Sequence, residues 1–175
     1  MNNFDSTIVS FFNNLREKTP TFSIELLKII EGIQNGKWQH QVEKCRENLA
    51  LKKELPAFTP TGIFKLRNTD GIELYSRVIC LDFDNIDNPN EIKEKCVLIP
   101  WIWVAFITPS GKGLKILVQT IDNLNNYKLT EEKIAKSFYE LTGLIRDERS
   151  KDLARLQFIS FDKNLYINKT PTIYQ

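Results

Sequence analysis

The sequence has no apolar run near the roughly 18 uninterrupted residues that a membrane span needs. Its opening, Met1-Asn2-Asn3-Phe4-Asp5, lacks both the basic and the apolar region of a secretory signal. These two absences lead us to expect a cytoplasmic chain with no membrane contact. Histidine occurs once, at His40, and the three cysteines (Cys45, Cys80, Cys96) are an odd, widely spaced set without a Cys-x-x-Cys pair. That pattern argues against a zinc site or a disulfide framework, and it makes Cys80 a small apolar core residue. Internal repeats and low-complexity segments are also missing. The charge is not one-sided: the net value of +2 does not by itself call for a polyanion.

What is present is the make-up of a globular protein. The chain has 175 residues, 42% hydrophobic and 26% charged, with 19 aromatics, enough to bury a core without disulfides or a structural metal. Between Lys37 and Asn68 seven basic residues (Lys37, Lys44, Arg46, Lys52, Lys53, Lys65, Arg67) face three acidic ones, a local excess that is either a solvated helix face or a surface for phosphates.

The first fifty residues are expected to be helical. Ile8, Phe11, Phe12 and Leu15 recur at helical spacing after the capping group Asp5-Ser6-Thr7, and Thr19-Pro20 ends that segment. A second helix is expected from Ser23 to the glycines Gly32 and Gly36, and a third over residues 39–51. Two prolines and a glycine in Leu55-Pro56-Ala57-Phe58-Thr59-Pro60-Thr61-Gly62 forbid a continuing helix. Beyond them strands are predicted over residues 63–67, 74–83, 101–107, 114–119 and 156–160, helices over 87–96 and from Thr130 to Gly143, and an extended surface tail over 162–175. The domain division is thus a helical extension, residues 1–54, packed on an α+β core, residues 55–175, the two forming one structural unit. Helices should cover one face of a mixed sheet and leave the other open.

Two stretches carry candidate chemistry. Asp82 and Asp84 close the apolar run Val78-Ile79-Cys80-Leu81, and residues two apart on a strand share a face, with Cα atoms roughly 6.5 to 7 Å apart. Paired like charges are poor architecture but a good seat for a divalent cation arriving with a phosphorylated substrate. The same acids could instead cap and turn the loop that follows. The second stretch is Ser110-Gly111-Lys112-Gly113-Leu114-Lys115, between two apolar runs. It is either a plain hairpin or a turn whose small residues let backbone N–H groups approach an anion, with Lys112 adding charge. Lys115 should lie on the face opposite Leu114, Ile116 and Val118, and Arg155, just before a strand, could grip a phosphate in two places. Trp101, Trp103 and Phe106 are either core residues or a stacking platform for bases.

Three blocks taken together resemble the BT4734-like domain, also called the VirE N-terminal domain, a branch of the archaeo-eukaryotic primase superfamily. They are residues 55–62; residues 81–86 with 105–115; and Asp152-Leu-Ala-Arg-Leu-Gln-Phe-Ile-Ser-Phe-Asp162 leading into Leu165-Tyr-Ile-Asn168. The resemblance implies an RRM-like primase-polymerase sheet in which Asp82 and Asp84 hold Mg²⁺ or Mn²⁺. A later aspartate, Asp147 by preference with Asp152 and Asp162 as rivals, completes the catalytic and metal site. Ser110, Gly111, Lys112, Gly113, Lys115 and Arg155 are implied to bind the nucleotide. Primases usually carry a histidine where this chain has Lys115. The implied activity is metal-dependent DNA or RNA nucleotidyl transfer, using a nucleoside triphosphate, a single-stranded DNA or RNA template and a helicase on a separate protein, in replication of a phage or mobile element. The alternative is a replication accessory module that binds nucleic acid and has lost catalysis.

Overall fold

The computed structural model describes residues 6–147 and 152–175. Its strands are β1 (Ile8–Phe12), β2 (Phe22–Glu25), β3 (Ala57–Thr59), β4 (Gly62–Phe64), β5 (Ile72–Tyr75), β6 (Val78–Phe83), β7 (Ile102–Ile107), β8 (Leu114–Gln119), β9 (Gln157–Phe158) and β10 (Tyr166–Ile167). Its α-helices are α1 (Leu26–Gln34), α2 (Gln39–Glu47), α3 (Pro89–Cys96) and α4 (Tyr127–Thr142). The architecture is α+β. One sheet has the order β2-β1-β3-β9, a second β10-β7-β8-β6, and β4 with β5 forms a short ribbon.

The expected first helix is a strand. Ile-Val-Ser-Phe-Phe is β-branched and aromatic, and four of its five residues are buried. A strand covered on both faces reads as a nearly continuous apolar run, which an eye looking for period 3.6 takes for a helix stripe. Similarly, Phe22–Glu25 pairs with β1 before the chain enters α1, so the second helix starts later than Ser23 predicts. The third helix ends at Glu47, and a 3-10 segment, Leu49–Glu54, follows it.

After Pro60 the predicted elements are present, with shifted bounds. The expected strand over residues 74–83 is two strands, separated at Arg77, which adopts φ +60. Asn88 caps α3 through Glu91 N–H, and Pro89 occupies its first turn. Gly143, in the left-handed region at φ 74, ends α4 as its position predicted. The tail is not merely extended: β10 adds to the edge of β7, and Tyr174 makes a parallel bridge to Thr120. Every pairing between the named strands is antiparallel, so the sheet expected to be mixed is not.

Both faces of the second sheet are covered. Ile79, Leu81, Phe83, Leu114, Ile116 and Val118 pack with Ile92 of α3 and Ile134 and Phe138 of α4. On the reverse face, Val78, Cys80, Val104, Phe106 and Leu117 share a core with Val9, Phe11 and Phe58 of the first sheet and with α1 and α2. The face expected to be open is therefore an interlayer, because the N-terminal segment supplies an apolar sheet as well as helices. Trp103 and Phe106 are buried in it and Trp101 packs edge-on against Phe138, which makes them core residues. Among the described residues no helix is long and apolar enough to cross a membrane.

Candidate functional site

Strand β6 lies at the edge of its sheet, beside β8 alone, and the register places Asp82 directly across from Lys115. Cross-strand neighbours on one face stand close enough to interact, and here they form an ion pair of 2.5 Å between Lys115 Nζ and Asp82 Oδ2. Lys115 is almost fully buried, and its ammonium also donates to Gln157 Oε1 of β9, 2.5 Å away, so this polar group joins the two sheets. The lysine lies on the face predicted for it, but it is inside rather than on an open surface. The second oxygen, Asp82 Oδ1, is buried and has no hydrogen-bond partner among the described residues. Such an atom is costly in an apolar surround.

The neighbouring Cys80, on the same face, registers this environment. Burial pushes its thiol up to about 12, with the Lys115 ammonium opposing the shift and the Asp82 carboxylate reinforcing it. All three cysteines are buried and free.

Asp84 follows the last residue of β6 and is exposed, and Asn85 beyond it turns at φ 57. Asp147, which follows α4, donates its backbone N–H to the carbonyl of Asp82 at 2.8 Å. The free edge of β6 thus draws this acid's main chain alongside the first. The rivals are differently employed. Asp152 accepts from Ala154 N–H in its own turn. Asp162 is buried, its oxygens 2.8 and 2.6 Å from Lys93 Nζ, and it also accepts from the backbone N–H of Ile107 and Asn164.

The turn joining β7 to β8 is tightly determined. Thr108 N–H donates to Gly113 O, Gly111 N–H to Thr108 O, and Ile86 N–H to Lys112 O, each at 2.9 Å. The Ser110 hydroxyl sits 3.0 Å from that of Thr108 and accepts from Lys112 N–H at 3.3 Å. Gly111 adopts φ 75, and Gly113 passes so close to β6 that a Cβ on it would lie 2.5 Å from Phe83 O. The side chain of Lys112 is exposed, as is Arg155. The structure thus brings Asp82, Lys115 and the main chain of Asp147 together, with Asp84 and the turn at the adjoining strand ends.

The basic stretch is dispersed. Arg67 donates to the carbonyls of Glu17 and Leu15, Arg46 donates to that of Phe161, and Lys52 lies over the ring of Phe158. Gln157 escaped the sequence reading. Its signal was available: a polar residue between the apolar Leu156 and Phe158.

The donor set suits a hard divalent ion in part. Among the described residues no three His, Cys, Asp or Glu side chains are gathered to hold a metal by themselves. Mg²⁺ needs fewer, because it keeps waters and commonly binds through one or two carboxylates plus substrate phosphates. Asp82, with its unpaired oxygen, and Asp84 are the pair available for that.

No curated protein and no solved structure matches the chain. The sequence profile of the family described as "BT4734-like, N-terminal domain" matches residues 50–167, which spans β3 to β10 and includes the candidate acids, the glycine turn, Lys115 and Arg155. On that match the chain belongs to the BT4734-like N-terminal domain family.

Proposed function

We propose that this chain is a primase-polymerase-like nucleotidyltransferase domain that binds a nucleoside triphosphate with Mg²⁺ or Mn²⁺ and acts on a single-stranded template. The observation that carries the reading is the buried, unpaired Oδ1 of Asp82, next to exposed Asp84 and at the foot of the glycine turn. The chain order β6-α3-β7-β8-α4, with β8 inserted between β6 and β7, supports an RRM-like classification of the second sheet. In this reading Asp82 and Asp84 hold the ion, which when bound activates a primer hydroxyl and offsets charge on the departing pyrophosphate. Lys115, fixed by Gln157, orients Asp82 and meets phosphate charge. Lys112 and Arg155 reach the triphosphate from solvent, and Asp147 is the third acid. A separate helicase would supply unwound template during replication of a mobile element.

A second reading, a nucleic-acid-binding accessory module without catalysis, draws on the Asp82–Lys115 ion pair itself. A buried ammonium at 2.5 Å already neutralises the acid that a metal would need.

The test is a titration of wild type and the Asp82→Ala, Asp84→Ala double variant with labelled dNTP and NTP, in Mn²⁺ and in EDTA. The nucleotidyltransferase reading expects metal-dependent binding that the double variant loses. Equal binding by both proteins, or none by either, overturns it. Salt-sensitive oligonucleotide binding that ignores the substitutions would then favour the accessory module.

A further inference from the structure

Beside the same glycine turn the chain forms a recess of about 350 Å³ that uses none of the Asp82 cluster. Its lining includes Arg46 from the last turn of α2, Asn90 from the first turn of α3, Gly111, and Phe161, Lys163 and Asn164 from the segment after β9. Asp162 also borders the recess, and an unopposed carboxylate there would repel an anion. It is not unopposed. Its two oxygens are held by Lys93 Nζ and by the N–H groups of Ile107 and Asn164, so its charge is cancelled from within. Arg46 and Lys163, in contrast, form no ion pair among the described residues, and both are exposed.

Arg46 is fixed rather than loose. One of its terminal nitrogens donates to Phe161 O at 2.8 Å, which leaves other donors of the guanidinium fork available. Gly111, at φ 75, faces it without a side chain: a Cβ there would stand 3.7 Å from Arg46 Nε and narrow the approach. Residues carrying a guanidinium fork, an ammonium and two side-chain amides line one concavity, a set of donors matched to phosphate oxygens. The half-buried ring of Phe161 adds an apolar wall on which a sugar or base could rest.

We propose that this recess is a separate phosphate-binding site, taking a nucleotide's phosphate or that of a nucleic-acid strand, with Arg46 and Lys163 as the charged contacts. The site does not depend on metal or on catalysis. It would hold a strand or nucleotide against the side of the molecule where α2, the glycine turn and the segment after β9 meet.

The experiment measures binding of labelled oligothymidylate and of labelled ATP in EDTA, across a salt series, to wild type and to Lys163→Glu and Arg46→Gln. Wild type should bind with affinity that falls as salt rises. Lys163→Glu and Arg46→Gln should each weaken binding by about tenfold at low salt, and each should lower the oligonucleotide salt slope by about one contact. A loss confined to oligothymidylate assigns the site to a strand, and a loss for both probes assigns it to nucleotide phosphate. Because Arg46 also ties Phe161, its variant is checked by thermal melting. Should it unfold, Lys163→Glu decides alone, since that side chain makes no ion pair within the described fold. Wild-type binding by Lys163→Glu, or no binding of either probe by wild type, overturns the proposal. Either result leaves the metal-dependent test of Asp82 and Asp84 independent.

Discussion

At the scale of single residues, the polar interior among the described residues is dominated by three largely buried ion pairs: Lys93–Asp162, Lys115–Asp82 and Arg146–Glu131. Removing one partner of such a pair strands the other charge in an apolar surround, which costs more than the pair contributes. Lys93→Met should therefore destabilise the protein by about 3 to 5 kcal/mol in urea denaturation. Combining it with Asp162→Asn should cost less than the two single changes summed, because no charge is left uncompensated. Arg16→Ala, which breaks an exposed pair with Glu54, should cost under about 1 kcal/mol. A Lys93→Met result as small as that of Arg16→Ala would show the Asp162 carboxylate to be satisfied by backbone donors alone. The sequence marked Asp162 as a rival metal ligand, but its partner lies 69 residues away, on a helix whose packing no local pattern specifies.

At the scale of elements, the turn between β7 and β8 separates two uses of glycine. Gly113 is needed for closeness: an added Cβ would lie 2.5 Å from Phe83 O and 2.7 Å from Thr108 Oγ1, so backbone must move. For the fold, Gly111 is needed for its conformation, since its Cβ would meet nothing nearer than 3.7 Å. Gly113→Ala is expected to cost about 2 kcal/mol or more, as overpacking does, and to disturb β6 at the Asp82 end. Gly111→Ala should cost about 1 kcal/mol, the penalty of a left-handed residue with a side chain. Urea midpoints for the two variants check the order, and a larger loss at Gly111 would contradict this division. The turn was legible from its residues, as were α3, α4, β7 and β8, because caps, prolines and alternation are local signals. The strand β1 was not. With both faces covered it lacks the alternation by which a strand is recognised.

For the whole molecule, the layered core sets the response to alkali. Burial pushes the thiols of Cys80 and Cys96 from 9.0 up to about 12 and the hydroxyl of Tyr75 from 10.0 up to about 12, and it raises Tyr127 further. In the unfolded chain these groups ionise near their ordinary values, while the folded protein retains their protons. Above about pH 9 the unfolded state binds fewer protons than the native state, so stability falls as pH rises. The contribution is complete below the unfolded values and is lost as pH climbs through about 12. Urea midpoints should accordingly drop steadily above about pH 9, and Cys80→Ala should lessen the slope. A flat profile through this window would mean that these groups are not held protonated by burial.

The sequence by itself determined the α+β class, the family, the turn between β7 and β8, the alternation that puts Lys115 opposite its apolar neighbours, and Asp82 as an acid inside strand rather than loop. The turn, the alternation and the placing of Asp82 depend on residues within a few positions of one another, and the class and family on several such local blocks read in order. Only the tertiary structure decided that the Asp82 face is roofed by a second sheet, that Lys115 spans Asp82 and Gln157, and that Asp147 is pinned along the edge of β6. It also decided that Arg46, Gly111 and Lys163 border one recess. The reason is physical: burial and ion pairing depend on which surfaces meet, and those surfaces come from segments separated by tens of residues, whose docking is selected by the fit of the whole core.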